Sequence, residues 1–281
     1  MTMKLKLVGI LLVAAISVSA ASYRIEDLET SETSTGINQT SDVQKEFRWI
    51  GRIAAGRTVA VRGVNGNIRA EPSNGDQVEV VANKHGRRSN PDGVEIKVVE
   101  HDGGVTICAV YPSPEGKPAN DCRPGKDWSS HVNNNDVQVD FMVRVPQGIN
   151  LNARTVNGEI ETGLIGGDAE AYTVNGSIRV SATGHAEAKT VNGSINATMG
   201  RADWTDAVDF KTVNGEIVLN LPADTSTEVH ADTLNGDIAT DFPLTVQGRI
   251  SRRTLNGTIG SGGRKLNLAT INGGIRLRRA S

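Results

Sequence analysis

Thr173-Val174-Asn175-Gly176-Ser177-Ile178, met again seventeen residues on as Thr190-Val191-Asn192-Gly193-Ser194-Ile195, decides the fold of this chain. The same hexad stands as Thr155-Val156-Asn157-Gly158-Glu159-Ile160, Thr212-Val213-Asn214-Gly215-Glu216-Ile217 and Thr233-Leu234-Asn235-Gly236-Asp237-Ile238. It closes with Thr254-Leu255-Asn256-Gly257-Thr258-Ile259 and Thr270-Ile271-Asn272-Gly273-Gly274-Ile275. An earlier copy, Val64-Asn65-Gly66-Asn67-Ile68, lacks the leading Thr. From Asn157 onward the Asn residues lie 18, 17, 22, 21, 21 and 16 apart, close to the period of stacked repeat proteins.

Outward from the hexad the pattern has period two. Ala169, Ala171 and Thr173 lead into one copy and Val208, Phe210 and Thr212 into another. Ile178, Val180 and Ala182, or Ile217, Leu219 and Leu221, continue beyond it. Alternation of this kind is the mark of a half-buried strand. Asn-Gly adopts positive φ readily at consecutive positions, so each unit reads as strand, tight reversal, strand. Asn65, Asn157, Asn175, Asn192, Asn214, Asn235, Asn256 and Asn272 are the expected turn residues.

Two all-β topologies fit this unit. The strands either pair as antiparallel hairpins, giving a meander, or lie in separate sheets and pair with the next unit, giving a β-solenoid akin to a single-stranded parallel β-helix. Identity of the hexads favours the solenoid, because stacking brings like residues together one rung, roughly 4.8 Å, away. A hairpin needs only some good turn residue. Aromatic residues at 4% and 31 glycines also suit a thin, elongated core.

Three features together resemble a bacterial family of domains of unknown function labelled "putative adhesin". They are the Asn-Gly-x-Ile hexads, the alternating Val137–Val145 run followed by Pro146-Gln147-Gly148, and Val59-Ala60-Val61 leading into Val64-Asn65-Gly66. The resemblance covers roughly residues 46 to 281. It implies an extracytoplasmic β-solenoid with an adhesin-like role and brings no catalytic residues.

The N-terminus reads as a secretory signal over residues 1–20, with Lys4 and Lys6, the apolar run Leu7 to Ile16, and Val18-Ser19-Ala20 at the cleavage point. That run is short of the roughly 20 residues that span a bilayer, and no later segment is apolar enough. A polar leader follows over 21–45, an N-terminal β portion over 46–145 and the repeat array over 146–281. The expected location is periplasmic or secreted. Cys108 and Cys122, the only cysteines, are expected to pair as a disulfide in that oxidising compartment, stabilising by roughly 3 kcal/mol on the chain-entropy model. Cys122 lies in a long Pro- and Asn-rich loop, 112–136, for which the family resemblance offers no counterpart.

No catalytic motif emerges, and no cofactor is expected. Asp121, Asp127, His131 and Asp136 share the long loop but lack the spacing of a calcium loop, so no metal site is assigned. A polysaccharide-cleaving enzyme would need a carboxylate pair across the rungs. Glu159, Glu216 and Asp237 recur at one hexad position but alternate with Ser177, Ser194, Thr258 and Gly274, and few sugar-stacking rings exist beyond Trp49, Trp128 and Trp204. Charge is the clue to partners. After Asp241 come Arg249, Arg252, Arg253, Arg264, Lys265, Arg276, Arg278 and Arg279 with no acidic residue, although the formal net charge of the chain is −2. A solenoid would carry these at one end, either as an attractor for an anionic envelope surface or glycan, or simply as a solubilising cap. Nucleic acid does not suit the compartment. The function expected is thus a non-catalytic scaffold binding a surface, glycan or protein partner, against a passive structural role or a polysaccharide-active enzyme.

Overall fold

The computed structural model describes residues 45–125, 128–246 and 251–280. The expected signal segment and nearly all of the leader lie outside them. The described chain is all-β apart from one 3-10 turn at Pro91–Gly93. Its strands are β1 (Lys45–Gly51), β2 (Thr58–Arg62), β3 (Ile68–Ser73), β4 (Val78–His85), β5 (Glu95–His101), β6 (Gly104–Val110) and β7 (Gln138–Pro146). The repeat region adds β8 (Asn150–Arg154), β9 (Ile160–Ile165), β10 (Ala169–Tyr172), β11 (Ile178–Ala182), β12 (Ala186–Lys189), β13 (Ile195–Met199), β14 (Val208–Lys211) and β15 (Ile217–Leu221). The last are β16 (Thr227–Asn235), β17 (Ile238–Thr240), β18 (Thr245–Val246), β19 (Thr254–Ile259), β20 (Lys265–Asn272) and β21 (Ile275–Arg279). Among the described residues no helix is long and apolar enough to cross a membrane.

The strands form two long sheets, and most are parallel. Sheet A runs β1-β4-β7-β3-β9-β11-β13-β15-β21-β17, and sheet B runs β18-β19-β16-β20-β14-β12-β10-β8-β2-β6-β5. The two strands flanking a hexad fall in different sheets, so the fold is β-solenoid-like and the hairpin meander is set aside. Residues 46–145 and 146–281 share both sheets, since β2 pairs with β8 and β3 with β9. Between the sheets lies one core of Val, Ile, Leu and Ala, with Phe141, Phe210 and Trp204 among the few rings.

Each hexad position meets its own copy. The backbone of Asn65, Asn157, Asn175, Asn192, Asn214 and Asn272 forms a chain of parallel bridges. Their side chains stack in a ladder: Asn192 Nδ2 donates to Asn175 Oδ1 at 2.8 Å and Asn214 Nδ2 to Asn192 Oδ1 at 2.7 Å. Each hexad Thr that is buried is satisfied across the rung, as where Thr190 Oγ1 donates to Gly176 O at 3.0 Å. A Thr190→Val substitution keeps the volume and removes that bond. It is expected to cost about 1 kcal/mol in a denaturant melt, and an unchanged midpoint would show that the Thr column is dispensable.

Three expectations need correction. Positive φ does not explain Asn-Gly: Asn134 is the only non-Gly residue with positive φ among those described, and of the hexad glycines only Gly66 and Gly273 have it. The glycines are instead required by close approach. A Cβ on Gly193 would lie 2.0 Å from the Gly176 carbonyl oxygen, and one on Gly176 would lie 2.0 Å from that of Gly158. Second, the hexad around Asn256 makes no corner; it lies inside β19, which pairs antiparallel with β16. An antiparallel strand cannot present Thr, Asn and Gly in phase with a parallel column. Third, stacking does not follow the sequence. β2–β3 sits between the β6–β7 and β8–β9 rungs, and β20–β21 is inserted between β14–β15 and β16–β17. The long loop 112–136 takes the place of the corner between β6 and β7, and Tyr111, 1% exposed beneath it, donates its hydroxyl to Val137 O at 2.9 Å.

Candidate functional site

Alternation places the last residue of five sheet-B strands in one outer row, just before the hexad Thr or, in the first copy, before Gly63. In register these are Arg62, Arg154, Tyr172, Lys189 and Lys211. The next outward position holds Asn152, Glu170 and Glu187, which are neighbours on β8, β10 and β12. The two rows interlock. Asn152 Nδ2 donates to Glu170 Oε2 at 2.6 Å, and Arg154 Nε to Asn152 Oδ1 at 3.0 Å. The Tyr172 hydroxyl donates to Glu187 Oε1 at 2.9 Å, while the Arg154 guanidinium lies 4.5 Å from the centre of its ring. Lys189 Nζ bridges Glu187 at 2.7 Å and Asp209 at 3.1 Å, and Lys211 reaches Asp209 at 3.1 Å.

Electrostatics follow from these contacts. Burial raises the Asp209 carboxyl, but hydrogen bonds from Asn267, Lys189 and Lys211 outweigh it and hold its pKa down at about 2. Burial lowers Lys189, yet bonds to Glu187 and Asp209 prevail and raise it. Burial and the neighbouring carboxylates of Glu170 and Glu187 push the Tyr172 phenol well above its ordinary value. The face is therefore a fixed lattice of charges, hydroxyl and amides, in which Arg62, Arg154, Lys189 and Lys211 are set among Glu170, Glu187 and Asp209. It can offer donors and acceptors to a polar ligand along several rungs.

At one end of this face a pocket of 320 Å³ opens between β2, β6 and β8, with Thr58, Arg62, Thr106, Asn152, Arg154 and Glu170 in its lining. Arg62 is in register with Cys108 on one side and Arg154 on the other. Cys108 and Cys122 form a disulfide with a Cα–Cα distance of 5.6 Å, which ties the long loop to β6. Arg62 Nη2 donates to Gly125 O of that loop.

The described residues singled out by charge fall near one end of the array, on both sheets. Arg249 lies outside the described residues. Arg252, Arg253 and Arg264 meet sheet strands by backbone carbonyls, which accept from the N–H groups of Ile238, Thr233 and Glu228 respectively. Lys265 opens β20 in sheet B, whereas Arg276, Arg278 and Arg279 are on β21 in sheet A. Arg276 forms an ion pair with Glu216, and Arg279 stacks 5.4 Å from the Phe242 ring centre. Beyond them lie β16 and β17, so Glu228, Asp232 and Asp237 share that end of the array. Of the loop acids, Asp127 falls outside the described residues. Asp121 accepts from Cys122 and Arg123, and Asp136 accepts from the Arg88 and Ser89 N–H groups. No group of three or more metal-ligating side chains occurs among the described residues. Glu159 and Glu216 line a shallow groove on sheet A with Glu161, Arg179 and Ser194.

The outer row of sheet B went unread because it lies outside the repeated hexad. A signal was present: the residue before the hexad Thr is Arg154, Tyr172, Lys189 and Lys211 in four successive copies.

Residues 129–278, more than half of the chain, match the family model described as Toastrack DUF4097. The chain belongs to that family. Two solved structures are similar to this Toastrack chain. One is described as a "putative cell adhesion protein" from Clostridium sporogenes, 14% identical, covering 84% of this chain and 100% of its own, with a TM-score of 0.48. The other, a "putative adhesin" from Bacteroides fragilis, is 13% identical and covers 83% and 97%, with a TM-score of 0.36. No curated protein matches the chain.

Proposed function

We propose that this Toastrack chain is an exported, non-catalytic, adhesin-like scaffold that holds a surface, glycan or protein partner along the outer face of sheet B. The observation carrying this reading is the interlocked polar row from Arg154 through Tyr172 to Lys211. Its carboxylates are each engaged: Glu170 by Asn152, Glu187 by Tyr172 and Lys189, and Asp209 by Lys189, Lys211 and Asn267. Rigid, pre-paired groups of this kind suit recognition, in which little ordering remains to be done on binding. The Cys108–Cys122 disulfide supports an oxidising, extracytoplasmic location, periplasmic or secreted. The competing contact is electrostatic, through Arg276, Arg278 and Arg279 to an anionic envelope surface.

Co-sedimentation of the mature protein with isolated envelope fractions across a salt series separates the two contacts. A Tyr172→Ser, Lys189→Ser variant is expected to lose at least tenfold in binding, while the triple Arg276, Arg278 and Arg279→Gln variant keeps it. The reverse pattern, with binding that falls steeply with salt, assigns the contact to the basic segment. No binding by the wild type removes the envelope-surface reading.

A further inference from the structure

Nine Asn-Gly pairs occur in the chain. At such a pair the Gly nitrogen can attack the carboxamide carbon of the Asn side chain, because glycine has no Cβ to shield it. A C–N bond forms and closes a five-membered imide. The Nδ2 group leaves as ammonia, taking up the proton shed by the Gly nitrogen, and water then opens the ring to aspartate or isoaspartate. No oxidant or reductant takes part. The attack needs a free Gly nitrogen and a carboxamide able to turn toward it.

Inside the array the ladder denies both. Gly158, Gly176, Gly193 and Gly215 each donate their N–H, at 2.9 Å, to the backbone carbonyl of the Asn on the adjoining rung. Asn157, Asn175, Asn192 and Asn214 each donate from Nδ2 to one neighbour and accept at Oδ1 from the other, at 2.7 to 2.8 Å. Asn256 is held differently, inside antiparallel β19 with its Oδ1 against the His230 ring. Asn235, the last residue of β16, is where the ladder ends. Its Nδ2 donates to Asn272 Oδ1 at 2.8 Å, but nothing among the described residues donates to its own Oδ1. Nor do they supply an acceptor for the Gly236 N–H. The Asn235 side chain is exposed to water.

We propose that Asn235 is a self-modification site, converting to aspartate or isoaspartate without an enzyme while stacking preserves the interior pairs. The product has no Nδ2 donor for Asn272 Oδ1. Isoaspartate also adds a methylene to the backbone beside the carbonyl that accepts the Gly273 N–H. Asn272 then becomes the last rung, so conversion travels inward from one end at a pace set by local opening. Each step adds a negative charge, the first of them two residues from Asp237. This goes beyond the reading of sheet B and does not rest on it.

Peptide mapping by mass spectrometry tests it on the mature, disulfide-intact protein, held in mildly alkaline buffer and digested under acidic conditions that halt the reaction. The same protein unfolded in denaturant gives the intrinsic rate of every pair. Asn74-Gly75 serves as a reference in the folded protein, since it lies outside the ladder in the exposed turn between β3 and β4. There the Gly75 N–H reaches only Ser73 Oγ, at 3.2 Å. In the folded protein Asn235 is expected to convert at least tenfold faster than Asn157, Asn175, Asn192 or Asn214, with Asn272 following after a lag. In denaturant these six are expected to convert within about threefold of one another. Asn235 remaining as intact as Asn192 while Asn74 converts would overturn the proposal. Even conversion along the folded ladder would overturn it as well. So would a spread of rates just as wide in denaturant, which traces the difference to neighbouring residues instead of the ladder.

Discussion

Gly193→Ala is expected to destabilise the protein by about 3 kcal/mol or more, a large effect for one methyl group. The added Cβ would sit 2.0 Å from the Gly176 carbonyl oxygen, and the atoms it meets are backbone. A side chain could rotate away, but here a rung must move, and both sheets hold it by parallel ladders on each side. The matched control is Gly257→Ala. That glycine belongs to the hexad inside β19, where a Cβ would have its nearest contact at an ordinary 3.4 Å. Its substitution is expected to change stability by less than about 1 kcal/mol. Thermal melts of the two variants, side by side, measure the contrast. Equal and small shifts would mean that the rungs tolerate wider spacing than the glycine column implies.

Removal of residues 265–281 is expected to have a still larger effect, confined to one end. The missing β20–β21 rung lies between β14–β15 and β16–β17, so its loss leaves strands on both sides without partners. It also withdraws Leu266, Leu268, Ile275 and Leu277, all at most 1% exposed, from the core. Each such side chain contributes roughly 1.5–3 kcal/mol on burial, and a repeat array gives up its stability locally. Hydrogen exchange should show residues 227–259 losing protection while the rungs from β8 to β13 keep theirs. Retained protection in β16 would mean that this strand docks on β14 unaided, and the inserted order would then be incidental.

Much of the architecture was legible from residues. Period-two alternation located the strands, and the run Val137–Val145 falls on β7. Identical hexads implied stacking of like on like, because only a register that repeats gives Asn a reason to meet Asn. Stacking order was not legible. β20 pairs with β14 across more than fifty residues, and neither the hexad nor its spacing says which copy is its neighbour. Asn256 shows the same limit: its hexad is as good as the others, yet strand direction, set by the pairing of β19 with β16, decides its fate. The outer row of sheet B was obscured for a different reason. Arg62 and Arg154 are 92 positions apart in the chain and become neighbours only once β2 is placed beside β8. Counting charges along the sequence pointed to the C-terminal basic residues, of which the fold puts Lys265 in sheet B and Arg276, Arg278 and Arg279 in sheet A.

Antiparallel strands close both ends of sheet B, β5 at one and β19 at the other, but sheet A only at the β4 end, its opposite edge being the short parallel strand β17. Between them each sheet contains eight parallel strands, no more. At about 4.8 Å per step the parallel stretch is a ruler of roughly 34 Å, with its graduations fixed by backbone pairing. A ligand laid along it would meet a set length in set intervals, and a further copy of the chain could continue the parallel ladder only at the β17 edge of sheet A, never in sheet B.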